Sequence, residues 1–183
     1  MTEPRQCIYK GKVVHLWLER VVLPNGHEVT LEVIRHPGAA AVVPLHESGD
    51  VTLIRQYRHA AGGFIWEIPA GKLDGEDPAV CALRELEEEA GLAAGRLTHL
   101  GWIFTTPGFT DEKIHLFLAE ELSPATQKLE HDEVLTCARY PLQQALAMVA
   151  RGEIVDAKSA LALFLTAEHL RHRDGGAESS AGG

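Results

Sequence analysis

Cysteine is scarce in this chain and shows no pairing pattern. Cys7, Cys81 and Cys137 are scattered, odd in number and in no CxxC pair. That excludes a disulfide framework and reads as reduced thiols in a cytoplasmic protein. No apolar segment is long enough to span a bilayer, and no N-terminal apolar run follows a basic stretch. A membrane partner is therefore not expected, and the protein should be soluble. Basic residues are the minority: 17 Lys+Arg against 26 Asp+Glu, for a formal net charge of −9. Such a balance disfavours nucleic acid, whose phosphate backbone demands basic patches. It does not disfavour a small phosphorylated ligand, which carboxylates can bind through metal ions. The remainder is ordinary for one globular domain of 183 residues, with room for a small appended sheet.

Residues 7–9 and 13–22 are rich in β-branched and aromatic residues and read as strands. Pro24-Asn25-Gly26 signals a tight turn, and 29–34 can pair back, so 1–37 reads as a small antiparallel sheet. Residues 39–45 are a continuous apolar run and 51–57 the next strand, so 39–58 reads as a hairpin. Arg55 and Arg58 lie near its end, either as a solvated strand end or as a cationic clamp for phosphate. Glu67 stands among apolar residues at 64–69 and needs a partner or a ligand. Further strands are expected at 97–104, 113–119 and 134–140. The stretch 120–132 is long, polar and acidic, and Glu130, Asp132 and Glu133 cluster at its end. It reads as a charged surface loop or as a mobile loop carrying a general base. Helices are expected at 141–151 and, capped by Asp156, through His172; the Gly/Ser-rich stretch 174–183 reads as disordered. Histidines show no ligand spacing.

The stretch 70–92 carries the chemistry. Asp77 suits an N-cap, Pro78 the first helical position and Gly91 the stop, which predicts a helix over 78–90. At about 100° per residue, Glu85, Glu88 and Glu89 share one arc, opposite Val80, Leu83, Leu86 and Ala90, the expected core face. Glu87 falls near the edge of the apolar set and receives no metal role. Carboxylates at i, i+3 and i+4 repel one another, and the last helical turn disfavours negative charge. Arg84 is the one basic residue in this helix. The cluster makes local sense if hard cations such as Mg²⁺ neutralise it.

Arg84 to Leu92, RELEEEAGL, resembles the Nudix box R-E-U-x-E-E-x-G-U, where U is bulky and aliphatic, and Glu76 precedes Arg84 by eight residues as that motif asks. The motif opens G-x5-E, whereas four residues separate Gly71 from Glu76; the shortening should be absorbed at Asp74-Gly75. The opening sheet, IRQYRHA, WEIPAG and Pro107, fifteen residues beyond Leu92, resemble the ADP-ribose pyrophosphatase branch of the Nudix hydrolases. The resemblance implies an α/β fold: an α/β/α sandwich around a mixed sheet at 38–173, with the 1–37 sheet swapped in a homodimer. It implies Glu85, Glu89 and the Ala70 carbonyl as metal ligands, with Glu88 assisting. Arg84 would hold the glutamates. Arg55, with Arg58 second, would grip the diphosphate, with Glu67 and Pro107 at the substrate pocket. Glu112 would meet the terminal ribose. Trp17 is a stacking candidate for the base, though core packing explains it equally well. The general base would come from the acidic loop, Glu130 first and Glu133 second. The implied reaction is Mg²⁺-dependent (alternatively Mn²⁺-dependent) cleavage of a nucleoside diphosphate joined to another moiety, such as ADP-ribose. The rivals are another nucleotide sugar such as GDP-mannose, or a ligand-sensing module without catalysis.

Overall fold

The computed structural model describes residues 5–179, with side chains through Arg173. Among the described residues, ten strands form three sheets, joined by three α-helices and a short 3-10 turn at His59–Ala61. The first sheet is antiparallel and local: β1 (Arg5–Lys10), β2 (His15–Val22) and β3 (Glu28–Arg35), in order β1-β2-β3. β1 is exposed along its whole length. Ile8, Tyr9, Val22 and Leu31 leave apolar surface on this sheet.

β4 (Ala39–Pro44) is buried throughout and lies inside a mixed sheet ordered β7-β4-β9-β8. Its neighbours are β7 (Ala70–Lys72), antiparallel, and β9 (Lys113–Pro124), parallel; β8 (Leu92–Phe104) pairs antiparallel at the edge. A strand covered on both faces needs no polar alternation, which explains its apolar run. Ala40 and Val42 pack with Cys81, Ala82 and Leu86 of α1 (Pro78–Ala90). Ala39, Ala41 and Val43 pack on the other side, with residues of α2 (Leu142–Ala150) and α3 (Ala157–Ser179). Helices thus cover both faces of the mixed sheet, as the sandwich requires.

The expected 39–58 hairpin does not form. Leu45, the residue after β4, makes one isolated bridge to Val51 of β5 (Asp50–Arg58), and the two strands lie in different sheets. Both edges of β4 are taken by β7 and β9. β5 instead lies between β6 (Gly63–Glu67) and β10 (Leu135–Pro141), antiparallel to each. β8 starts at Leu92 and β9 continues to Pro124, so the acidic loop shrinks to 125–134. Asp156 caps α3, its Oδ2 accepting from the Ser159 N–H at 3.0 Å. The stretch 174–183, read as disordered, falls partly on the end of α3 and partly outside the described residues. No described helix is long and apolar enough to cross a membrane.

Candidate active site

α1 begins and ends where its capping residues place it. Asp77 accepts from the Ala79 N–H at 2.8 Å, and Gly91 takes the left-handed conformation at φ 64°. The shortened Gly71–Glu76 loop closes as a tight turn, with Asp74 and Gly75 both at positive φ and the Glu76 N–H donating to Leu73 O at 2.7 Å. The buried face of α1 differs from the expected one. Val80 and Leu83 face solvent, whereas Cys81, Ala82, Glu85, Leu86 and Glu89 are buried. These five span about 140° of the helix. Two glutamates therefore lie on the inner side of the helix, at 7% and 1% exposure.

The chain makes room for them. A Cβ on Gly71 would lie 2.9 Å from Glu85 Cγ and overlap its carboxylate. Glu89 Oε2 accepts the Ala70 N–H at 2.8 Å. Arg84 sits among three carboxylates: Nε donates to Glu76 at 3.1 Å, and Nη1 to Glu85 at 2.7 Å and Glu88 at 2.8 Å. Burial pushes Glu89 up to about 8, with the Ala70 N–H opposing and the charges of Glu85 and Glu133 adding to the rise. Burial also raises Glu85, against the pull of Arg84 and with Glu88 and Glu133 assisting. Glu87 pairs instead with Lys128 Nζ at 3.2 Å, outside the cluster.

Loop 125–134 is tied to the end of this helix. Gln127 Nε2 donates to Glu89 O at 2.6 Å, and the Lys128 N–H donates to Glu88 O at 3.0 Å. These bonds satisfy carbonyls that a helix leaves open at its C-terminus. Nothing in the polar run of the sequence singled out Gln127 for this task. The loop brings Glu133 close enough for its charge to act on both Glu85 and Glu89. Glu130 is exposed, and its backbone N–H donates to Glu133 Oε2 at 2.8 Å.

Strand phase separates the two arginines. Residues paired across strands share a face, and neighbours along a strand alternate. Ile54 pairs with Glu67 and Cys137, and Cys137 Sγ lies 3.4 Å from Glu89 O. Ile54, Gln56 and Arg58 therefore share the face toward α1. Arg55 pairs with Trp66 and Thr136 on the opposite face, its guanidinium over the Phe64 ring. Arg58 grips Glu67 through Nε at 2.9 Å and Nη2 at 2.8 Å, and its charge reaches Glu89. Gln56 is 4% exposed and its buried Oε1 has no hydrogen-bond partner among the described residues.

The other pocket candidates lie around β3. Its end is stitched to the loop that carries Pro107: Ile34 N–H donates to Phe109 O at 2.7 Å, and Arg35 pairs with Asp111 at 2.8 Å. Glu112 accepts from Thr105 Oγ1 at 2.8 Å and lies 3.5 Å from His36 Nε2. Pro107 is exposed. The Trp17 ring is covered by Arg5 at 5.1 Å, and its buried Nε1 has no partner among the described residues.

The donor set suits a hard divalent cation: Glu85, Glu88 and Glu89 offer carboxylate oxygens beside the main chain of Ala70. Among the described residues, no three acidic, imidazole or thiol side chains converge tightly enough to enclose an ion. Arg84 holds Glu85 and Glu88, and the Ala70 N–H holds Glu89; a cation would compete with these bonds. Two buried carboxylates of raised pKa, and a glycine that leaves space for one of them, fit such an ion.

Comparisons with known proteins bear on the family and the fold. A family model described as NUDIX domain matches residues 35–163. The chain is 44% identical over 165 residues to an ADP-ribose pyrophosphatase of Bacillus subtilis (strain 168), covering 88% of this chain and 89% of the relative. It is 40% identical over 171 residues to a methanol dehydrogenase activator of Bacillus methanolicus, covering 91% and 92%. A crystal structure of an ADP compounds hydrolase superposes with a TM-score of 0.81 at 24% identity, covering 92% of each chain, and supports the fold. With RELEEEAGL on α1 and most of the chain matched, this protein belongs to the Nudix family.

Proposed function

We propose that this chain is a divalent-cation-dependent pyrophosphatase. It hydrolyses ADP-ribose or a closely related nucleoside diphosphate sugar to a nucleoside monophosphate and a sugar phosphate. The observation that carries the reading is the pair Glu85 and Glu89, buried on the inner side of α1 with Gly71 and Ala70 shaped around them. The similarity to an ADP-ribose pyrophosphatase over most of both chains supports the substrate class.

Glu85, Glu89 and the Ala70 carbonyl hold the cation, Mg²⁺ or Mn²⁺, and Glu88 assists. When bound, it would neutralise the diphosphate and lower the pKa of water, easing the deprotonation that makes water a nucleophile toward phosphorus. Arg84 keeps Glu85 and Glu88 oriented, and a shift of the arginine would misplace both. Arg58 offers its guanidinium to a diphosphate oxygen, because it shares the α1-facing side of β5; Arg55 points away. Glu133 takes the proton of the attacking water, since its charge already reaches Glu85 and Glu89. The leaving phosphate departs as a monoester. Glu112 and the Pro107 loop line the sugar end. A second copy of the chain covers the apolar side of the β1-β2-β3 sheet, which leaves Tyr9 59% and Val22 66% exposed. Trp17, under Arg5, packs within that sheet.

The test is a Mg²⁺-dependent hydrolysis panel: ADP-ribose, nucleotide sugars including GDP-mannose, NADH and diadenosine polyphosphates, with products identified. AMP and ribose 5-phosphate from ADP-ribose, abolished by chelator, is the expected result. Preference for GDP-mannose would move the substrate within the same chemistry. No turnover of any member would sink the hydrolase reading in favour of a ligand-sensing module.

A further inference from the structure

Glu67 and Lys158 form the inner part of a chain of alternating charge. Arg58 donates to both oxygens of Glu67, through Nε at 2.9 Å and Nη2 at 2.8 Å. Lys158 Nζ donates to Glu67 Oε2 at 3.0 Å and to Asp156 Oδ2 at 2.9 Å. Asp156 Oδ2 also accepts from Ser159 Oγ, and that Oγ accepts the Ile68 N–H at 2.8 Å. The order is cation, anion, cation, anion. Glu67 is 3% exposed, and the Lys158 side chain is 12% exposed. A buried carboxylate with both oxygens occupied cannot meet a substrate, and its charge would repel a diphosphate. Glu67 therefore acts through Arg58.

Arg58 depends on that grip. Its cross-strand partner is Gly63, which offers no side chain to pack against, and the arginine reaches back along the hairpin to Glu67. Glu67 takes the Nε–Nη2 edge of the planar guanidinium. Nη1 has no hydrogen-bond partner among the described residues, and fork geometry lets such an edge take a phosphate oxygen. We propose that Lys158, through Glu67, is a positioning residue: it fixes Arg58 edge-on so that Nη1 is presented to the substrate diphosphate. This rests on the pyrophosphatase reading above. Without Lys158, Glu67 would lose one of its two cations. Arg58 would then be its sole counter-ion and would be drawn toward it and away from the substrate.

A kinetic double-mutant cycle tests this, with Arg58→Ala, Lys158→Met and both together, assayed with saturating Mg²⁺ on the best diphosphate of the panel. Misplacing one binding group by about 1 Å costs up to about 100-fold. Lys158→Met should lower kcat/KM about tenfold or more, mainly through KM, and Lys158→Arg should recover part of it. In the Arg58→Ala background, Lys158→Met should change kcat/KM by less than about twofold, because the group it positions is gone. Should Lys158→Met melt below the assay temperature, Lys158→Gln goes through the same cycle and is judged by the same outcomes. Equal losses in both backgrounds would overturn the inference, as would a folded variant with wild-type kcat/KM. Those outcomes arise in an enzyme that is active; an inactive wild type would instead count against the pyrophosphatase reading.

Discussion

Replacing Gly71 by alanine should separate the fold from the site. Gly71 is not among the residues at positive φ, so its backbone accepts a side chain. A Cβ there would lie 2.9 Å from Glu85 Cγ and overlap the carboxylate, against an ordinary contact of 3.4 Å or more. The three nearest atoms it meets all belong to the flexible end of Glu85, none to backbone. The cheapest relief is rotation of Glu85, which carries its carboxylate about 1 Å or more out of place. A misplacement of that size costs about 100-fold in rate. Stability should hardly suffer, because alanine at a permissive site restricts the unfolded chain and contributes roughly 0.4–1 kcal/mol to the folded state. The assay is a Mg²⁺ titration of kcat/KM beside thermal melts of the chelator-treated protein. The expected result is activity down about 100-fold with Tm within about 4 °C of wild type. Near-normal activity at the same Mg²⁺ would refute the cradle. A large drop in Tm would refute the claim that only the Glu85 side chain must yield.

Two further outcomes follow from the carboxylates. Glu133→Gln should reduce kcat by about 100-fold or more while Glu130→Gln stays within a few-fold, since general-base catalysis contributes on the order of 10²–10⁴; pH–rate profiles of both variants decide, and the reverse ranking would return the base to Glu130. Glu89 should set a pH dependence of the metal-free protein. Its folded pKa is raised from 4.5 to about 8, so between those values the folded state holds a proton that the unfolded state has lost. Stability should therefore fall as pH rises from about 4.5 to about 8 and level off above. Glu89→Gln, which cannot ionise, should flatten that slope in chelator-treated melts while abolishing turnover with Mg²⁺; an unchanged slope would show that Glu89 is not the group responsible.

The sequence carried the ends of α1 and the identity of its charged residues, because capping is local: Asp77, Pro78 and Gly91 act within one turn of themselves. It misjudged which side of that helix is buried. A helical wheel sends carboxylates outward by default, and only the burial of Cys81 and Ala82 against β4 turns Glu85 and Glu89 inward. Short spacing suggested a β4–β5 hairpin, but the partners that claim β4 begin at Ala70 and Lys113. No local signal reports them. Arg55 and Arg58 look alike in a polar run. Their faces part through strand phase, which is fixed by the pairing of Ile54 with Glu67. Gln127 was invisible for a related reason: its partner is a helix carbonyl 38 residues earlier in the chain.

Seen together, the carboxylates of α1 are placed against the interests of the fold. Glu85 and Glu89 are desolvated, they repel each other and Glu133, and Glu89 sits at the negative end of the helix dipole. Arg84 offsets part of this for Glu85 and Glu88, but Glu89 has a single backbone N–H and the more distant charge of Arg58. Elsewhere in the molecule a buried carboxylate is treated differently. Burial alone would raise Glu67, yet Arg58 and Lys158 hold it below its ordinary value. The same chain thus neutralises one buried glutamate fully and leaves another, facing the same side of β5, short of positive charge. A fold selected for stability alone would have paired both. The unbalanced pair is where a cation would lower the energy most, and under the proposal above the balanced one would steer Arg58 toward it.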